Sequence, residues 1–100
     1  MYGTIARMKL KPGKEEEFKA LGQTEDELGI PGHLGEFIYR MDNDSNEYFM
    51  AVIFDSKESY HANANSPEQN SRYEEMVALL ESDPEWHDGE IVHSHYQGGD

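Results

Sequence analysis

His93 and His95 are the sharpest pair of reactive side chains in this sequence. Side chains two apart on a strand share a face, so both imidazoles would stand on the side of Ile91. Imidazole exchanges protons near neutral pH, and two on one face could bind a metal or divide the roles of base and electrophile. A zinc site needs a third ligand at tetrahedral geometry, and nothing in the spacing supplies it. The competing reading is a strand-end pair, solvated or hydrogen-bonded at a dimer edge. His61 follows Tyr60, with Asn63 and Asn65 beyond. These polar groups either line the mouth of a pocket or form an exposed helix face. Tyr73 opens an apolar helix face and reads first as core, although its hydroxyl needs a partner if buried. Arg40 and Arg7 are scarce cations in an acidic chain. Each could hold an anionic oxygen of a substrate or pair with a nearby carboxylate. The candidate site is therefore His93 and His95 as catalytic groups, Tyr60, His61, Asn63, Tyr73 and Arg40 near the ligand, and no metal. Asp42, Asp44 and Asn46 match the start of a calcium loop, but Glu47 stands where its glycine is needed and Ile53 where its closing glutamate is needed, so the segment reads as a turn.

Composition narrows the partners. The chain has 100 residues, 21 acidic against 8 basic, and a formal charge of −13. Such a chain repels phosphate backbones and anionic membrane surfaces, so neither nucleic acid nor membrane is an expected partner. The absence of cysteine removes disulfides, thiolate nucleophiles and cysteine-held metal clusters. The N-terminal Met1-Tyr2-Gly3-Thr4-Ile5-Ala6-Arg7 has neither the basic nor the long apolar region of a signal peptide, and no apolar run approaches the ~20 residues of a spanning helix. The expected location is the cytoplasm. The length fits one domain, placed at residues 1–96 with 97–100 as a frayed tail.

The elements that must position these residues are organised around Tyr48-Phe49-Met50-Ala51-Val52-Ile53-Phe54, the most apolar run in the chain. Its β-branched and aromatic content favours a strand. Tyr48, Met50, Val52 and Phe54 face one way and Phe49, Ala51 and Ile53 the other. Both faces are apolar, so both need cover. The chain supplies helices for one face, and a second copy of the sheet is the simplest cover for the other, which predicts a homodimer. Before this strand, the pattern predicts a strand from Tyr2 to Leu10, a stop at Lys11-Pro12-Gly13, and a helix from Lys14 to about Leu28 with Phe18, Leu21 and Leu28 on one face and Gly22 as a weak point. A second strand runs from about Leu34 to Met41, with Phe37, Tyr39 and Met41 opposite Glu36, Ile38 and Arg40. Residues 42–46 make a hairpin turn.

After the central strand, Asp55 and Glu58 outline one capping box and Ser66 and Gln69 another, with Pro67 at the first helical position. They predict a short helix to about Asn63 or Ala64 and a second carrying Tyr73, Met76, Val77 and Leu80 on one face. Glu90 to Tyr96 reads as the last strand. The order β-α-β-β-α-β predicts an α+β, ferredoxin-like domain with an antiparallel sheet.

Lys11-Pro12-Gly13-Lys14-Glu15-Glu16-Glu17-Phe18, Pro31-Gly32-His33-Leu34-Gly35, Val52-Ile53-Phe54-Asp55-Ser56-Lys57-Glu58 and Asn65-Ser66-Pro67 give the chain a resemblance to the antibiotic-biosynthesis monooxygenase-like family of dimeric α/β barrels. The resemblance implies sheets paired face to face and a pocket in each protomer between helices and sheet. Some members oxidise phenolic or quinol-like polyketides with molecular oxygen and no cofactor; others degrade haem, isomerise signalling molecules or have no assigned activity. The haem-degrading branch resembles an Asn, Trp, His triad at places held here by Ala6, Asn63 and Tyr73, which argues against haem. The implied function is a cofactor-independent monooxygenase acting on a small electron-rich aromatic such as a quinol or polyketide phenol, needing neither metal nor flavin. The alternatives are a non-catalytic binding or interaction dimer, which predicts a filled pocket, and an oxygen-independent isomerase or decarboxylase on the same scaffold.

Overall fold

The computed structural model describes residues 1–95 and 97, with residues 24–27 described through their backbone only. The elements follow in the order β1 (Tyr2–Lys9), α1 (Glu15–Glu27), β2 (His33–Arg40), β3 (Glu47–Phe54), α2 (Lys57–Ala64), α3 (Pro67–Val77) and β4 (Glu85–Glu90). The strands form one antiparallel sheet in the order β2-β3-β1-β4. This is the ferredoxin-like arrangement the element order predicts, with the second crossover divided into α2 and α3. Among the described residues no helix is long and apolar enough to cross a membrane.

Strand alternation sorts the sheet into two unlike faces. Toward the helices point Thr4, Ala6 and Met8 of β1 and Tyr48, Met50 and Phe54 of β3, all buried. Phe18 of α1 and Leu79 and Leu80 after α3 pack on them, and the Phe18 and Tyr48 rings meet with centroids 5.4 Å apart. The opposite face is open. Ile5, Phe37 and Tyr39 are 54%, 55% and 57% exposed there, beside half-buried Phe49, Ala51 and Ile53. Arg7 crosses this face, with Nε 2.6 Å from Glu47 and Nη1 3.2 Å from Glu85. Its side chain thus takes carboxylate partners, the second of the two roles open to it.

Local chemistry sets the element ends. Ser66 caps α3 by accepting from the Gln69 N–H at 3.1 Å, and Pro67 follows at the first helical position, where its missing N–H costs nothing. We expect Ser66→Ala to lower stability by about 1 kcal/mol, read as a shift of the urea midpoint at unchanged slope. The α2 cap is Ser56, not Asp55: Ser56 Oγ accepts from the Ser59 N–H at 3.1 Å, while the Asp55 backbone N–H is drawn to the Gly32 carbonyl at 2.8 Å. In the turn at 42–46, Asp44 Oδ1 accepts from the Asn46 N–H at 2.9 Å, the local bond that suits aspartate to turns. Leu80 lies beyond α3 rather than on its apolar face, and bridges Leu10 just past the end of β1.

The last strand lies earlier than the pattern of Glu90 to Tyr96 predicts. β4 is Glu85–Glu90, paired with β1 from Arg7↔Glu85 to Tyr2↔Glu90. The ladder ends where β1 does: the Ile91 N–H donates to the Met1 carbonyl at 2.9 Å, and the described residues after it have no paired strand. Tyr96, the expected end of that strand, and residues 98–100 of the expected tail lie outside the described residues.

Candidate functional site

Two clefts on the helix side of the sheet carry chemistry, one on each side of α3. The first exists because α1 and α3 stand apart over β2 and β3. Ile38 points toward the helices, yet is 41% exposed. Its companions on the floor are Phe18, Leu21, Met50 and Met76, a wall of ring, branched and thioether carbon. This enclosed end holds about 40 Å³. It opens past Phe18, Gly22, Glu36 and Ile38 into a mouth of about 470 Å³ edged by Glu15, Lys19, Arg40 and Tyr48. Gly22 keeps the passage open, since a Cβ there would stand 3.7 Å from Ile38 Cδ1.

The polar groups of this cleft sit at its edge. Arg40 Nη1 lies 2.5 Å from Glu15 Oε2, and that bond and charge raise the guanidinium pKa above its ordinary value. The Tyr48 hydroxyl is buried, with no well-formed hydrogen bond among the described residues. Burial, then the Glu15 carboxylate, push its pKa up, with Arg40 opposing. At the inner end Glu36 is half-buried, and Arg72 donates twice to Gln69 Oε1, at 3.1 and 2.9 Å. An apolar ring bearing an oxygen at one end would find carbon below it and a guanidinium at the rim, the usual division of labour in a small-molecule site.

The second cleft, of about 430 Å³, lies between α2, α3 and β4. Trp86 and Asp88 of β4 alternate onto the helix side, opposite Ala6 and Thr4 of β1. The Tyr60 hydroxyl donates to Asp88 Oδ1 at 2.8 Å. Its pKa is pushed up to about 12, first by burial and then by that carboxylate. Tyr73 faces Trp86 with ring centroids 6.1 Å apart and planes tilted by 39°. His61 sits at the rim, its ring 5.3 Å from that of Tyr60.

The seven residues singled out from the sequence therefore divide. Tyr60, His61 and Tyr73 meet in the second cleft. Arg40 belongs to the first. Asn63 lines a third hollow with Leu28, Ile30, Pro31 and Ser66. His93 and His95 fall after β4, exposed and outside any strand, and line none of these three clefts. Among the described residues no group of three or more His, Asp or Glu side chains could hold a metal ion. Sequence reasoning passed over Gly22, Tyr48 and Asp88 as site residues. Only the alternation of Glu36, Ile38 and Arg40 hinted that one face of β2 lines a cleft.

The family model described as antibiotic biosynthesis monooxygenase matches residues 1–74. Among solved structures, the chain is similar to SnoaB, a cofactor-independent oxygenase from Streptomyces nogalater, at 14% identity and a TM-score of 0.80 over 93% of this chain and 94% of that one. It is also similar to the "putative Antibiotic biosynthesis monooxygenase" from Chloroflexus aurantiacus J-10-fl, at 26% identity and a TM-score of 0.75 over 97% of this chain and 98% of that one. No curated protein matches the sequence. At 14% identity the likeness to SnoaB is one of fold.

Proposed function

Because the chain belongs to the antibiotic biosynthesis monooxygenase family, we propose that it is a cofactor-independent monooxygenase acting on a small electron-rich aromatic, a quinol or polyketide phenol, in the cleft between α1, α3 and the sheet. The observation that carries the reading is an apolar floor of Phe18, Leu21, Ile38, Met50 and Met76 left unfilled beneath a rim that holds Arg40. The ring lies against Ile38 and the thioethers. Glu36, which borders both parts of the cleft, takes the phenolic proton, and Arg40 turns from Glu15 to the phenolate oxygen. The phenolate is an electron-rich reductant, so the substrate itself reduces oxygen. For an anthrone-type carbon the balance closes: a CH2 group and O2 give a C=O group and water, with all four electrons supplied by that carbon. His93 and His95 stay outside this scheme. The open face with Ile5, Phe37 and Tyr39 supports a homodimer in which a second sheet covers it.

Oxygen uptake by metal-stripped, flavin-free protein against a panel of quinols, anthrones and naphthols tests the reading. We expect uptake that heat denaturation abolishes. Arg40→Ala should lower kcat/KM by about tenfold or more, the worth of one hydrogen bond to a charged group, while His93→Ala and His95→Ala leave it unchanged. No uptake across the panel would move the assignment to an oxygen-independent enzyme or a binding dimer.

A further inference from the structure

The cleft on the other side of α3 has a composition unlike the first. Three aromatic side chains, Tyr60, Tyr73 and Trp86, converge on it, and its one carboxylate among the described residues is Asp88. No lysine or arginine lines it. Asp88 takes a hydrogen bond from Tyr60, which fixes the carboxylate beside the rings, and it has no ion pair among the described residues. β4 is an edge strand, and Trp86 remains 39% exposed in an otherwise polar strand. The 39° tilt between Tyr73 and Trp86 leaves an angled pair of π faces rather than a closed stack. Rings present their negative faces to cations, and quaternary ammonium groups are bound by such aromatic walls.

We propose that this cleft is a second binding site, for a small organic ammonium ion held between Tyr73 and Trp86 with its charge against Asp88. It is independent of the monooxygenase reading, because α3 separates it from the Ile38 cleft. The chain's charge of −13 raises the local concentration of any cation near it. An anionic or phenolic ligand is disfavoured here for the same reason, with a carboxylate in the cleft and, among the described residues, no lysine or arginine to meet it.

Trp86 is the only tryptophan, so its fluorescence reports on this cleft alone. The experiment titrates choline and phenyltrimethylammonium into the intact protein and compares 3,3-dimethylbutanol, which has the shape of choline without its charge. We expect a saturable change in Trp86 emission with both cations at millimolar concentration or below, and none with the alcohol. Asp88→Asn keeps an oxygen for the Tyr60 hydrogen bond and removes the charge; it should weaken cation binding about tenfold or more, as should Tyr73→Leu. Calorimetry on the same variants guards against a quenching artefact. Absence of saturable binding overturns the proposal. So does equal response to the alcohol, or binding that survives Asp88→Asn unchanged, since either would make the cleft a merely apolar hollow. Oxygen uptake plays no part in these readouts, so failure here and failure of the monooxygenase reading are separate results.

Discussion

Gly3→Ala is expected to lower stability by about 3 kcal/mol or more, a loss that few single methyl additions reach. In a strand the same change ordinarily helps, because glycine loses the most freedom on folding. Here a Cβ would stand 2.0 Å from the Val52 carbonyl oxygen and 3.1 Å from its carbon. Both are backbone atoms of β3, so no rotamer change relieves the clash. β1 lies between β3 and β4, and pushing it away disturbs two ladders at once. Gly89, paired with Gly3 across β1 and β4, is the matched control: a Cβ there meets nothing within 4 Å, and Gly89→Ala should be neutral or slightly stabilising. Urea unfolding of the two variants compares them directly. Equal midpoints would show that β1 and β3 do not approach this closely.

The second large effect concerns Gly22, where two substitutions should act in opposite directions. Gly22→Ala should stabilise the protein by about 0.5–1 kcal/mol, since glycine inside a helix is the weaker choice and the added methyl makes an ordinary contact with Ile38 Cδ1 at 3.7 Å. Gly22→Phe carries its ring into the passage between the enclosed end and the mouth. If oxidation takes place there, kcat/KM should fall by more than about tenfold, the loss expected when a ligand's apolar contacts are taken by the protein itself. Unfolding should stay cooperative, because the ring enters space already open to solvent. Full activity in Gly22→Phe would place the chemistry in another cleft.

Much of the scaffold was legible because its signals are local. The run from Tyr48 to Phe54 declares a strand with two apolar faces, and one of those faces is buried and the other open. Ser66 and Pro67 announce a helix start that needs no tertiary knowledge. β4 is hidden from the sequence pattern for the reason that makes it unusual. Glu85-Trp86-His87-Asp88-Gly89-Glu90 is polar on both faces, and as an edge strand it is held by backbone pairing to β1 rather than by buried side chains. The alternation of Ile91, His93 and His95 looks more strand-like, but among the described residues no strand pairs with it. The site was less legible still. Tyr60 and Asp88 are 28 residues apart, and only the register of β4 on β1 brings them together. Gly22, which reads as a flaw in α1, is what holds the first cleft open.

The polarity of β4 also bears on the fate of the sheet as a whole. β2 and β4 are its two free edges, each a row of backbone groups able to recruit another strand. On β4 the carboxylates of Glu85, Asp88 and Glu90 stand exposed along that edge. At neutral pH an incoming copy of the same strand brings the same negative charges and is repelled, so acidity that serves solubility in general also acts as a guard at one particular place. Near the isoelectric point, about 4.6, the chain's net charge vanishes while the backbone template stays intact. We expect acidification to favour strand addition at this edge ahead of any general collapse of the core.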